Sequence, residues 1–300
     1  MRGWRAWLGV SGALLAVTAC GGSSSSSSSD GRGGLQIVAA ENSWGSIVSQ
    51  VGGAHVHVTN IIDRPGADPH DYEPTPNDAR MIARARYAVI NGAGYDEWAS
   101  KLVEANPASG RLVLTVADLS GKKAGANPHL WYSPDLVVRF IDRVTSDLKR
   151  LDAANAADYD AQSEQYQTHG LKAYHDAIAA IEQRHSGTPV GASESLFAPM
   201  APALGLDLVT PPEYLKAVSE GTDISPADKA TVQQQVAGQR IRVFVYNRQN
   251  SRPDVEQVVD RARARGIPVI EITETPTPAG ATFQDWQTRQ LQDLLKALGG

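Results

Sequence analysis

Seven histidines are the side chains best suited to chemistry in this 300-residue chain, and their settings differ. His169, His175 and His185 fall among polar residues of a long helical stretch and read as solvated surface. His55 and His57 flank the start of an apolar run and, at i and i+2, share one face of a strand. That setting permits a chelating pair but suits a structural one better. His70 and His129 stand in proline-marked loops, within Gly66-Ala67-Asp68-Pro69-His70-Asp71-Tyr72-Glu73-Pro74 and Asn127-Pro128-His129-Leu130-Trp131. Each follows a proline, whose fixed φ narrows the backbone and pre-positions the imidazole. Neutral imidazole is the commonest transition-metal ligand among side chains. Spacing alone leaves two readings open, a metal site or two loop histidines with structural roles.

The elements that must carry these loops are legible as an alternation. Apolar runs at 35–40, 56–62, 87–90 and 112–116 are expected strands, separated by helical stretches at 46–51, 76–86 and 96–104. A helix over 134–151 is expected to open with Ser133 as N-cap and Pro134 in its first turn. Residues 153–185 read as a second, long helix, with a bend at Gly170. The rhythm resumes with strands at 188–192, 206–210, 240–246 and 267–273 and helices at 225–239, 253–265 and 282–298. The predicted fold class is α/β: two (β/α) lobes with parallel four-stranded sheets, joined by a long connecting helix. The lobes are expected at 35–152 and 187–300 with the connector at 153–186. Ligands of such sheets bind beyond the carboxyl ends of the strands.

The first residues have a different purpose. Arg2 and Arg5 precede a small, apolar run of about 14 residues, too short for the roughly 20 of a spanning helix, so 1–19 reads as a signal peptide. The run ends in Val17-Thr18-Ala19-Cys20, which resembles the lipoprotein cleavage pattern, with the only cysteine as the lipidation site. Gly21 to Gly34, with seven consecutive serines, then forms a flexible tether. A lone Cys20 excludes disulfides and thiolate metal ligation in the body. Removing the leader leaves 26 basic against 33 acidic residues with no basic run, which argues against a nucleic-acid partner.

Three co-ordered segments carry a family resemblance. Asp68-Pro69-His70-Asp71-Tyr72-Glu73-Pro74-Thr75-Pro76-Asn77-Asp78 resembles the DPH-x-[YF]-EP-x-P-x-D segment of the cluster A-I metal-binding proteins, which serve zinc, manganese and iron importers. Asn127-Pro128-His129-Leu130-Trp131 resembles their second ligand segment, and Gly191-Ala192-Ser193-Glu194-Ser195-Leu196-Phe197 the third. The resemblance implies two lobes, a rigid connecting helix and a metal ligated by His70, His129 and Glu194. It also implies a fourth ligand just before the last helix, where Ala281 cannot coordinate; Asp285, Glu274 or a water are the alternatives. The cargo implied is a divalent transition metal, zinc or manganese, with iron also within the family. The short segment 120–126 lacks the His- and Asp-rich loop frequent in zinc members. Asn42, Trp44, Asn247, Gln249 and Asn250 are placed to line or support the site.

The expected function is that of an extracytoplasmic solute-binding lipoprotein, a monomer held to the cell membrane by lipid, delivering its ion to an ABC transporter membrane permease. A metal-binding adhesin or buffer on the same fold is the alternative. A zinc hydrolase is a weaker one, since the chain has no HExxH, no GxSxG and no phosphate loop, and no general base can be nominated.

Overall fold

The structure is a computed structural model that describes residues 34–64, 72–121 and 125–299. The leader, Cys20, most of the tether and His70 lie outside the described residues.

β1 (Leu35–Glu41) runs into α1 (Asn42–Gly52), and a 3-10 turn returns the chain to β2 (Val56–Ile62). α2 (Pro76–Arg84), β3 (Tyr87–Ile90), α3 (Glu97–Ala105), β4 (Leu112–Thr115) and the short α4 (Val116–Ser120) complete the first half. All pairings are parallel, in the order β2-β1-β3-β4. α5 (Pro134–Leu151), α6 (Ala156–Gln165) and α7 (Lys172–His185) follow. The second half contains β5 (Pro189–Ala192), β6 (Asp207–Leu208), α8 (Pro212–Ser219), α9 (Pro226–Ala237), β7 (Phe244–Asn247), α10 (Pro253–Ala264), β8 (Val269–Ile272) and α11 (Phe283–Leu298). Its sheet is also parallel and repeats the order, β6-β5-β7-β8.

β3 and the middle of β1, Ile37 to Ala40, are apolar and buried because parallel strands are covered on both faces. Helix starts follow local chemistry. Thr75 and Asp78 form a reciprocal capping box on α2, and Pro76, Pro134, Pro212, Pro226 and Pro253 each sit in a first turn. Ser133 occupies the N-cap position of α5, but its side chain makes no capping bond.

The stretch expected as one connecting helix is helical in pieces. A 3-10 turn over Ala153–Asn155 precedes α6, and a π-turn over Tyr166–Gly170 separates α6 from α7, closed by a 2.8 Å bond from Leu171 N–H to Tyr166 O. The bend expected at Gly170 is this π-turn. A Cβ on Gly170 would sit 2.6 Å from the Tyr166 ring, so the glycine admits the ring.

One buried apolar cluster runs from β1 and α1 (Ile37, Trp44) through α5 (Phe140, Ile141) and Tyr174 to Trp286 and the second sheet (Val190, Phe244). A smaller one, with Val38, Ile82, Ile90 and Trp98, covers the other face of the first sheet. Burying each such aromatic side chain contributes about 1.5–3 kcal/mol. The shared cluster packs both sheets into one body. Among the described residues no helix is long and apolar enough to cross a membrane.

Candidate metal centre

In both sheets the polar side chains gather beyond the carboxyl ends of the strands. After β3 the turn Gly92-Ala93-Gly94 has three successive positive φ values, 77°, 57° and 89°. Glycine adopts this region without strain, and Ala93 does so at a cost of about 1 kcal/mol. A Cβ on Gly92 would also lie 2.5 Å from Thr115 Cγ2. Asp96 holds the turn, accepting from the N–H groups of Asn91 at 2.6 Å and Gly92 at 2.7 Å. The result is that Tyr95 OH reaches across and donates to Glu274 Oε2 at 2.9 Å.

Asn91, fully buried, ties this turn to the histidine loop. Its Oδ1 accepts from Trp44 Nε1 at 2.9 Å and its Nδ2 donates to Pro128 O at 2.9 Å. On the other side of His129, Trp131 is fully buried and meets the imidazole edge to face, with centroids 5.6 Å apart at 86°. The His129 main chain is therefore fixed from both directions.

The imidazole is oriented by Asn127. Asn127 Oδ1 accepts from His129 N–H at 3.1 Å, and Asn127 Nδ2 donates to Ser195 O at 2.7 Å, which identifies the oxygen end of the amide. Nδ1 lies 3.0 Å from that oxygen and 3.3 Å from Ser195 Oγ, so the proton sits on Nδ1. The tautomer directs the Nε2 lone pair toward the carboxylates, and Nε2 lies 3.9 Å from Glu274 Oε2. A metal-ligating histidine is held in the same way, by a hydrogen bond at its second nitrogen.

The second sheet supplies the acids. Glu194 lies just beyond β5 and Glu274 just beyond β8, and both are buried. Asn247, ending β7, donates to Glu194 Oε1 at 2.7 Å and to Glu274 Oε1 at 2.8 Å. Asn250 Nδ2 donates to Glu194 Oε2 at 2.8 Å. Gln249 Oε1 accepts from the Glu274 N–H at 2.6 Å and so fixes its main chain. These donors are neutral amides and a phenol, so they orient the negative charge without cancelling it. Ligand atoms of His129, Glu194 and Glu274 all lie within 4.8 Å of one another. A divalent cation bound among these groups would offset the charge of both carboxylates, which repel at that range when ionised. One imidazole and two carboxylates form an N/O donor set acceptable to zinc, manganese or iron. A cleft of about 410 Å³, lined in part by Asn127, Ser195, Lys216 and Ser219, opens beside the cluster.

A different acid pair lies under the first sheet's end. Burial and the facing Asp96 carboxylate push Glu41 well above the usual carboxylate range. Burial also raises Asp96, against the lowering effect of its bonds from Gly92 and Asn91. Among the described residues Glu41 has no hydrogen-bond donor on either oxygen other than the facing carboxyl of Asp96, close enough to share a proton.

Of the ligands expected from sequence, His129 and Glu194 are brought together, and His70 lies outside the described residues. Among the alternatives for the further ligand, Glu274 is at the cluster. Asp285 instead is exposed and bonded to Thr282 at the start of α11, and Ala281 packs against the core. Asn247 and Asn250 donate to the carboxylates, whereas Gln249 accepts from the main-chain N–H groups of Glu274 and Thr275. Trp44 is buried and acts through Asn91 rather than lining the cluster. His55 pairs with Asp158 at 2.8 Å and is structural. His169 and His175 are exposed, whereas His185 is partly buried. Asn91 and Tyr95 were missed; the signal available was Asn91-Gly92-Ala93-Gly94-Tyr95, a glycine-rich turn directly after a buried strand.

Comparison with known proteins places this arrangement. The chain is 29% identical over 209 residues to the manganese-binding lipoprotein MntA of Halalkalibacterium halodurans, covering 66% of each chain. It is 32% identical over 117 residues to the iron-binding protein YfeA of Yersinia pestis, covering 37% of this chain and 38% of that one. The chain thus spans less than two thirds of the length of these curated relatives. Among solved structures, the manganese-bound periplasmic metal-binding protein of Candidatus Liberibacter asiaticus superposes with a TM-score of 0.70 at 21% identity, covering 87% of this chain and 98% of that one. The protein FpvC of Pseudomonas aeruginosa in complex with manganese gives 0.71 at 21%, covering 89% and 98%. These likenesses establish the two-lobe fold. The profile of the family described as "Zinc-uptake complex component A periplasmic" matches residues 37–297, which takes in both sheets and every loop that supplies the cluster, and the chain belongs to that family.

Proposed function

We propose that this protein captures a divalent transition-metal ion, zinc or manganese, and delivers it to the membrane permease of an ABC importer. The observation that carries the reading is the convergence of His129, Glu194 and Glu274, buried and within 4.8 Å of one another at the facing ends of two sheets. His70 joins them as the fourth ligand in this proposal, from the segment that carries the family resemblance. The relatives named for manganese and iron binding support the choice of cargo class.

The mechanism is capture and release, with no covalent chemistry. The carboxylates and the Nε2 lone pair replace the ion's water, and any protons they hold leave as it binds. An ion with bonds of about 2.1 Å requires ligand atoms roughly 3.4 Å apart in a tetrahedron, so groups spread up to 4.8 Å close inward on loading. The continuous apolar cluster between the sheets favours loop and side-chain adjustment over a wide swing of the halves. Residues 35–152 and 187–300 act as the two lobes, with 153–186 between them. Cys20 carries the lipid, residues 20–34 tether the body outside the membrane, and the body acts as a monomer.

The test is calorimetric titration of the metal-stripped body, starting at Gly33, with zinc and manganese separately. One site of sub-micromolar affinity for either ion is the expected result. Absence of binding to both ions would overturn the reading.

A further inference from the structure

Strand order places one amide where it reaches both acids. β7 lies between β5 and β8 in the second sheet. Asn247 is the last residue of β7, Glu194 lies two residues past β5, and Glu274 lies two past β8. The Nδ2 group has two hydrogens, and each is used: one on Glu194 Oε1 at 2.7 Å, one on Glu274 Oε1 at 2.8 Å. The rest of Asn247 is fixed as well. Its N–H donates to Ser193 Oγ at 2.9 Å, its Oδ1 accepts from Gln249 N–H at 3.0 Å, and it is 1% exposed.

The same bonds decide which oxygen of Glu274 faces the histidine. Glu274 Oε1 turns to Asn247, and Oε2 is the oxygen that faces His129 Nε2 at 3.9 Å. With Tyr95 on Glu274 Oε2 and Asn250 on Glu194 Oε2, each carboxylate accepts at both ends. A carboxylate held at both oxygens cannot rotate about its terminal bond without breaking a charge-assisted hydrogen bond. Rotation is what separates coordination through one oxygen from coordination through two. Zinc is satisfied by four ligands. Oxygen-preferring ions that reach six or more ligands gain from bidentate carboxylates.

We infer that Asn247 determines which ion this site prefers: by anchoring Oε1 of both acids it resists the rotation that would bring both oxygens of one carboxylate onto the ion, and so biases the site toward four-coordinate ions. The inference rests on the metal-capture reading above and concerns the selectivity of that same site. Asn250 contributes less, because it touches one acid only.

The experiment uses cobalt(II) as probe on the metal-stripped chain, because four-coordinate cobalt absorbs visible light far more strongly than six-coordinate cobalt. It compares the wild type with Asn247→Ser and Asn250→Ala, alongside zinc and manganese titrations of each. The wild type is expected to give the intense band. Asn247→Ser is expected to weaken the band per bound ion and to lower the zinc-to-manganese affinity ratio about tenfold, the lower end of the range for residues that orient ligands. Asn250→Ala should show a smaller shift in the same direction. A folded Asn247→Ser protein with unchanged band and ratio would overturn the inference, as would a weak six-coordinate band in the wild type. If Asn247→Ser does not fold, Asn247→Ala is read in its place, with the same expected and overturning results. A wild type that binds none of the three ions would refute metal capture itself.

Discussion

The two sheets share a strand order, and each has an acid at the end of its first strand and an asparagine at the end of its third: Glu41 and Asn91 in one, Glu194 and Asn247 in the other. Their fates diverge because their hydrogen bonds do. Asn91 spends its amide on Trp44 and on the carbonyl of Pro128, so among the described residues no amide reaches Glu41, which is buried against the Asp96 carboxyl and pushed toward its neutral form. Asn247 instead donates to Glu194, and Asn250 donates to the other oxygen of the same acid. Burial alone does not make a carboxylate a ligand. Donors that stabilise its charge do, and the first half uses its asparagine to place the histidine instead.

The sharpest way to break this comparison is to remove a group from the cluster itself. His129→Ala and Glu194→Ala should each weaken ion binding more than about 100-fold, beyond the usual range for residues that only orient ligands, whereas Glu41→Ala, at the matching place in the first sheet, should not abolish it. Glu274→Ala should lose binding on the same scale, while Asp285→Ala leaves affinity unchanged and loses only a first-turn acid of α11 that accepts from the Thr282 hydroxyl, about 0.3–1 kcal/mol. Equal affinities for these two variants would remove Glu274 from the cluster. Asn91→Ala tests the placing role. It strands Pro128 O and Trp44 Nε1, so we expect a stability loss of about 1–3 kcal/mol and an affinity loss of about tenfold, read by denaturant unfolding and by titration.

The acid pair of the first half predicts a pH dependence. An acid whose folded pKa lies above its unfolded value, about 4.3 for glutamate, stabilises the fold fully below that value and loses the contribution as pH rises through the folded pKa. Glu41 and Asp96 are both raised. The metal-stripped protein should therefore lose melting temperature from about pH 4.3 upward, and Glu41→Gln, which cannot ionise, should flatten that slope. Parallel curves for the two proteins would contradict the account. The smallest effect is expected at His175, exposed on α7; His175→Ala should leave binding unchanged.

Much of this was legible in the sequence, and the exceptions are instructive. Residues 56–62, 87–90 and 134–151 were read at their observed bounds, because apolar runs and a first-turn proline are local signals. The expected strand at 240–246 is found as Phe244–Asn247, and that shift matters, since it makes Asn247 a strand end between the two acids. The helix Pro212–Ser219 was not anticipated. His129 and Glu194 were found through their motifs. Glu274 was only one alternative, because its position beside Glu194 depends on the register of β7 with β8, which no local pattern shows. Tyr95 and Asn91 act across long sequence separations, 179 residues in the case of Tyr95 and Glu274, and no single-sequence pattern reports such a contact.

The central claim is that His129, Glu194 and Glu274 hold one ion between them. Anomalous diffraction at the zinc edge, from crystals of the full body grown with zinc, tests it most directly. The account predicts one strong peak within bonding distance, about 2.0–2.2 Å, of His129 Nε2 and of one oxygen from each glutamate. A peak that misses Glu194 or Glu274, or a strong peak elsewhere with none at this cluster, would contradict it.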